Sequence, residues 1–261
     1  MMGIDQLYLL IFISAVAWGG WRTAHLRLSG AWMAVVVGVI IGYAYGVYGL
    51  IVLGVFFLSS SLWSRLFQFS KIGIDDRLAK TASRDWQQVL ANGGPAALFA
   101  LFFTVTGEDV WTYAFVAAIA GANADTWASE IGPLSRKLPL SLRTFKRVPK
   151  GTSGAVSVIG TCAALLGAAF ISITAALMLD GMTFRLFLWI TLAGFLGNLM
   201  DTFLGATVQL AYRCKVCGMQ TEATRHCERQ TIRTKGYGMN NEVVNALSSM
   251  FAGVIMLCVY W

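Results

Sequence analysis

The chain has 261 residues, 57% hydrophobic and 13% charged, with a formal net charge of +7, nine tryptophans and a mean hydropathy of +0.64. That balance excludes a water-soluble globular domain and a disordered chain, and predicts a single all-α polytopic integral membrane domain over residues 1–261. The basic excess calls for no nucleic-acid partner, because basic cytosolic loops are the ordinary condition of such proteins and can also hold anionic substrates.

Apolar windows long enough to cross a bilayer run over residues 7–21, 31–45, 47–64, 89–106, 110–129, 155–179, 186–211 and 243–261. The first follows Met-Met-Gly-Ile-Asp-Gln, which has an acid where a secretory leader has bases, so it reads as a retained helix. The second and third are short and adjoin at Gly46, and the spacing Gly38-x3-Gly42-x3-Gly46 predicts close helix packing. If the N-terminus is outside, 19 of the 20 Lys and Arg fall in the loops after the first, third, fifth and seventh windows, leaving Arg185 alone outside. The positive-inside rule therefore predicts eight transmembrane helices with both termini outside.

The first large cytosolic segment, 65–88, mixes Gln68, Asp75, Asp76, Asp85 and Gln87 with bases and aromatics and reads as amphipathic. It leads into Gln88-Val-Leu-Ala-Asn92-Gly-Gly-Pro95, where Asn92 is either a packing hydrogen bond between helices or part of a polar cluster at that depth.

The fifth window ends in Asn123-Ala-Asp125-Thr126-Trp-Ala-Ser129-Glu130-Ile-Gly132, at its cytosolic end. Intramembrane acids are costly and are kept for a pathway, a ligand or a metal. Asp125 and Ser129 share one helix face and Asn123 and Glu130 another, about 140° separating Asp125 from Glu130 on a 3.6-residue helix. Both acids meet one ligand only if the helix breaks nearby, for which Gly132-Pro133 is the candidate.

The basic loop 133–152 leads into Lys150-Gly151-Thr152-Ser153-Gly154, a glycine-hydroxyl run that either opens the sixth helix as a phosphate cradle or caps it through Thr152 or Ser153. It is not a Walker A sequence. In the seventh window Asn198, Asp201 and Thr202 cluster on one side, with Asp201 about 15 Å deep by helical rise. The eighth opens Asn240-Asn241-Glu242-Val-Val-Asn245, with Asn241 and Asn245 on one face. Five helices thus bring polar groups to the cytosolic leaflet, and a divalent cation held by Asp125, Glu130 and Asp201 accounts for all three acids. Cys162 and Cys258 fall in apolar helices as packing residues. The loop 212–240 holds Cys214-x2-Cys217-x8-His226-Cys227, either a structural zinc site or four unliganded reduced side chains.

The segments at Gln88, Asn123, Gly151, Asp201 and Asn240 resemble, in order, an integral membrane domain family that includes the plant phytyl-phosphate kinase of chloroplasts. There is also a distant similarity to the CTP-dependent polyprenol and dolichol kinases. The resemblance implies a polytopic kinase that converts a prenyl monophosphate to its diphosphate with a nucleoside triphosphate, CTP or ATP, as donor. It implies Asp125, Glu130 and Asp201 around Mg2+, and Lys150 with Gly151, Thr152, Ser153 and Gly154 on phosphates, helped by Arg143, Lys146 or Arg147. Asn92, Asn123, Ser129, Asn198, Asn241 and Asn245 complete the nucleotide and phosphate set. The chain departs from many relatives at Thr202, where they carry serine, and its cysteine loop is not a feature the plant member supplies.

A phosphomonoester acceptor, with its second pKa about 6, is already anionic at neutral pH, so no general base is required. The partners expected are the lipid phosphate and the nucleotide, the setting a bacterial or archaeal plasma membrane with the site facing the cytosol, and homo-oligomerisation is left open. Two other readings stay open at this point: cytidylyl transfer to a lipid phosphate, and transport or flipping of an anionic lipid or ion, since intramembrane acids serve such pathways too.

Overall fold

The computed structural model describes residues 4–67 and 83–260. Seven helices carry the fold: α1 (Ile4–Arg22), α2 (Leu28–Leu66), α3 (Trp86–Thr106), α4 (Asp109–Ile131), α5 (Val158–Met178), α6 (Phe184–Thr207) and α7 (Asn241–Val259). Five of them, α2, α3, α5, α6 and α7, are long and apolar enough to cross a membrane by length and composition. The middle of the predicted amphipathic segment, with Gln68, Asp75 and Asp76, lies outside the described residues.

The two windows that adjoin at Gly46 form the limbs of α2. Straight, its 39 residues would run about 58 Å, nearly twice the hydrocarbon thickness. Gly46 instead takes φ 61° and ψ −146°, backbone closed to most residues, with no atom crowding the position a Cβ would occupy. The limbs fold back there, so that Leu50 reaches Gly42, a contact eight residues of straight helix would forbid.

Local sequence sets the other ends. Asp85 and Gln88 form a reciprocal capping box at the start of α3, and Thr183 and Asn240 cap α6 and α7. Gly107, at φ 71°, closes α3.

Helix α4 is the centre of the bundle, packed by α2, α3, α5, α6 and α7. Its run from Ala114 to Ala124 is buried throughout. Because protein rather than lipid surrounds it, α4 can carry Asn123, Asp125 and Glu130 and fall short of the apolarity its neighbours show. Small residues let those neighbours approach: Gly194 of α6 sits on Ala120, Gly197 of α6 on Gly121 and Ala252, and Gly167 of α5 on Trp127 and the Asn123 carbonyl.

The connections after α1, α2, α4 and α6 gather at one end. Arg27 N donates to the Arg84 carbonyl, Ser64 of α2 reaches Glu130 of α4, and Ser153 of the α4–α5 connection reaches Gln209 beyond α6. Those connections also hold strands, which an all-helical reading of the sequence does not predict. β1 (Leu140–Ser141) pairs with β2 (Ala155–Val156). Beyond α6, β3 (Ala211–Arg213) is flanked by β4 (Gln220–Thr221) and β7 (Ile232–Lys235), beside a hairpin of β5 (Arg225–His226) and β6 (Arg229–Gln230).

Candidate active site

At the end where the connections gather lies a cavity of ≈ 320 Å³, lined from α4 by Asp125, Ser129 and Glu130, from α6 by Asn198, Asp201 and Thr202, and from α7 by Asn241 and Asn245. Lys150, Gly151, Thr152, Ser153 and Gly154 line its outer side, with Ser157 and Gly160 from the start of α5.

Asp125 and Asp201 meet here. The contacts of Gly194 and Gly197 on Ala120 and Gly121 bring the two helices close with both C-terminal ends at the polar end, and one turn further on the acids face each other. Their carboxyl groups lie within hydrogen-bonding reach of one another. Asn198 Nδ2 donates to Asp125 Oδ1 at 3.2 Å, and Ser248 Oγ to Asp201 Oδ2 at 3.1 Å. With its amide turned to donate, Asn245 Nδ2 lies 3.1 Å from Asp201 Oδ2 and 2.9 Å from the Asn241 carbonyl. Among the described residues, the groups acting on the two carboxyls are amides, a hydroxyl, Glu222 and each other. Two half-buried acids in such contact favour sharing a proton or a cation.

The structure sets Glu130 apart from this pair. Helix α4 continues through Ile131, so the break at Gly132–Leu134 follows Glu130 and does not turn it toward Asp125. Its Oε1 accepts from Ser64 Oγ of α2 at 2.8 Å, and it acts electrostatically on Arg84. Among the described residues, no three-acid group assembles with ligand atoms within 4.8 Å of one another; the only such group is Cys214, Cys217, His226 and Cys227. The expected triad of Asp125, Glu130 and Asp201 is therefore a pair with a neighbour.

The glycine-hydroxyl run is corrected as well. α5 opens at Val158, and its cap is Ser157, whose Oγ accepts from Gly160 N at 3.1 Å; neither Thr152 nor Ser153 caps it. Residues 151–154 form a separate turn docked on the end of α6. Gly154 has φ +79°, and a Cβ there would stand 2.2 Å from the Ala206 backbone, so only glycine fits. Thr152 Oγ1 donates to the Pro149 carbonyl at 2.7 Å and Ser153 Oγ to Gln209 Oε1 at 2.6 Å. Lys150 Nζ reaches the Pro133 carbonyl at 2.7 Å from the cavity wall. A second cavity of ≈ 210 Å³ adjoins the same turn and includes Arg143 and Lys235. Lys146 is exposed, and Arg147 is turned to the Leu138 carbonyl at 2.7 Å.

Other expected site residues do different work. Asn123 is fully buried, donates to the Gly167 carbonyl at 2.7 Å and accepts from Ser59 at 3.1 Å, clamping α2, α4 and α5. Ser129 Oγ bonds back to the Thr126 carbonyl. Asn92 bonds to the Gln88 carbonyl and lies 3.5 Å from the Asn245 amide. α6 ends at Thr207, so Asp201 lies six residues, about 9 Å, from the end of its helix.

Three residues of the site had no role assigned from the sequence, although Gln209 closes the polar motif of the seventh window. Ser248 follows Asn245 by one turn, and extending the Asn241–Asn245 face would have reached it. Gln209, 2% exposed, donates to Glu222 Oε1 at 2.8 Å and to Asn241 Oδ1 at 3.3 Å. Glu222 lies beside β4 and lines both cavities. Burial pushes its carboxyl up to about 7, and the nearby Glu242 charge adds to the rise.

The family model for integral membrane protein DUF92 matches residues 11–253. Protein PGR of Arabidopsis thaliana is 32% identical over 237 residues, covering 80% of this chain and 81% of the relative. An uncharacterized membrane protein of Methanocaldococcus jannaschii is 32% identical over 228 residues, covering 86% and 82%. Protein VTE6, chloroplastic, of Arabidopsis thaliana is 27% identical over 189 residues, covering 70% of this chain and 56% of its own length. No solved structure matches the chain. With nearly its whole length matched by one family model, this chain belongs to the DUF92 family of integral membrane proteins.

Proposed function

We propose that this chain is a nucleotide- and Mg2+-dependent kinase that converts a prenyl monophosphate to its diphosphate at the cytosolic leaflet of its membrane. The observation that carries this reading is the half-buried pair Asp125 and Asp201, with no cationic partner among the described residues, on the wall of a cavity that a lysine and a glycine-hydroxyl turn also line. The resemblance to the phytyl-phosphate kinase family supplies the reaction class.

The donor set fits a hard divalent cation. Mg2+ is commonly held by one or two protein carboxylates, the rest of its shell being water and substrate phosphate, and Asp125 and Asp201 are such a pair. When bound, Mg2+ would offset the charge of the donor phosphates. Asn198, Asn245 and Ser248 hold the carboxylates in place. Lys150 and the 151–154 turn, which line the same cavity, would receive phosphate oxygens. The acceptor phosphate is already anionic, so the protein positions and neutralises rather than deprotonates.

An apolar cavity of ≈ 410 Å³ between α1, the two limbs of α2 and α3 supports a lipid acceptor. Asn92 lies on its wall, beside the Asn245 side chain that lines the polar cavity. Eight spans with both ends outside remain the topology that best uses the charge pattern, counting the limbs of α2 separately. A bacterial or archaeal plasma membrane is the corresponding setting.

Purified protein in detergent, given a prenyl phosphate, Mg2+ and CTP or ATP, should yield the prenyl diphosphate and a nucleoside diphosphate. Pyrophosphate release with the nucleotide left on the lipid would identify cytidylyl transfer instead. Movement of an anionic lipid in liposomes without nucleotide turnover would identify a transporter. Full turnover in both Asp125→Ala and Asp201→Ala would remove the site.

A further inference from the structure

The polar insertion between α6 and α7 holds a second cluster, which the proposed phosphoryl transfer does not use. We infer that Cys214, Cys217, His226 and Cys227 bind one structural Zn2+ that fastens this insertion in the position from which Glu222 reaches the cavity. The ligand atoms of all four side chains lie within 4.8 Å of one another. Nδ1 is the histidine atom that faces the sulfurs, 3.6 Å from Cys217 Sγ and 3.2 Å from Cys227 Sγ. A tetrahedral ion with Zn–S of about 2.3 Å and Zn–N of about 2.0–2.1 Å requires an S···N edge of about 3.6 Å. Cys217 stands at that edge and Cys227 inside it, and all four ligand atoms gather closely enough for one ion to reach them with small adjustments.

The backbone is built for the same purpose. Between the first two cysteines the chain makes a tight turn: Gly218 N donates to the Cys214 carbonyl at 3.1 Å, and Val216 N points at Cys214 Sγ at 3.3 Å. An N–H aimed at sulfur favours the thiolate, the form that binds metal. The adjacency of His226 and Cys227 is resolved by the hairpin. His226 pairs with Arg229 across a two-residue turn in which Cys227 has φ 49° and Glu228 φ 59°. Such turns favour Asn-Gly, and ordinary side chains are disfavoured at positive φ. Here the turn swings Cys227 Sγ back onto the imidazole of its own neighbour.

The chemistry selects the ion. Three thiols and one imidazole in a tetrahedral set suit Zn2+, where magnesium and calcium take oxygen. All the cysteines are free. β4 lies between the two ligand pairs, so the ion would tie both ends of the segment that presents Glu222 to Gln209 at 2.8 Å.

The test is metal content of the full chain purified in detergent without chelator, with Co2+ exchange as the spectroscopic probe. About one zinc per chain is expected for a four-ligand site. It should be retained in Cys162→Ser/Cys258→Ser and lost in Cys217→Ser/Cys227→Ser, and Co2+ should give the intense bands of a tetrahedral sulfur-rich site. Should the double variant fail to fold, titrating folded wild type with a thiol-blocking reagent should release about one equivalent of zinc to a chromophoric chelator. Zinc unchanged in the folded Cys217→Ser/Cys227→Ser variant overturns the assignment. So does a wild type without zinc that gives no tetrahedral Co2+ spectrum, or one that releases no zinc as its thiols are blocked.

Discussion

Asp125 and Glu130 are five residues apart on one helix, line one cavity and are both acids, yet the fold treats them differently. Glu130 leans on α2, where Ser64 donates to it and Arg84 stands near. Asp125 faces α6, where it meets a second acid and an amide. A compensated carboxylate at a helix end holds structure together; an uncompensated pair needs something brought from outside. The presence of a cation nearby, rather than position along the chain, separates the two roles.

The largest effect that sharpens this contrast is on turnover. Asp125→Ala and Asp201→Ala should each lower the rate of diphosphate formation by about 10²–10³-fold, the cost of removing one group that offsets transition-state charge. Glu130→Gln should cost less than about tenfold, since the amide still accepts from Ser64. Equal losses for all three would dissolve the distinction.

Stability should run in the opposite order. Glu130→Ala leaves a half-buried hydroxyl and Arg84 without their acid and should cost about 1–3 kcal/mol in detergent unfolding. Asp201→Asn, measured without divalent cations, relieves a like-charge contact and should leave the midpoint unchanged or raised. A marked loss in Asp201→Asn under those conditions would mean that the acid is already satisfied within the protein.

The smallest expected effect is a pH dependence at Glu222. Its folded pKa, about 7, lies above the ordinary 4.5. Folding therefore favours the protonated form, so this residue's contribution is full below about pH 4.5 and is lost as pH rises through about 7. The melting temperature of wild type, taken relative to Glu222→Gln, should fall between pH 5 and pH 8. A flat difference would place the carboxyl in water.

Much of this is legible in the sequence. Asp125, Asn198 and Asp201 stand out because nothing apolar requires them, and Gly46 marked the point where α2 folds back. The partners of Glu130 were not legible: Ser64 is 66 residues away in sequence, and helical period alone says only that Glu130 faces away from Asp125. The turn at 151–154 was misread because glycine and hydroxyl residues serve equally as caps and as loop contacts, and Ser157, three residues later, is the one that accepts from Gly160. The strands beyond α6 are two to four residues long and polar, too short for an alternating pattern to stand out.

The central claim is tested most directly by Mn2+ binding, as a paramagnetic stand-in for Mg2+, followed by electron paramagnetic resonance on wild type, Asp201→Asn and Glu130→Gln. The account predicts that wild type and Glu130→Gln bind the ion alike and that Asp201→Asn binds it at least about tenfold more weakly, the loss of one charged ligand. Equal binding by all three proteins would contradict it.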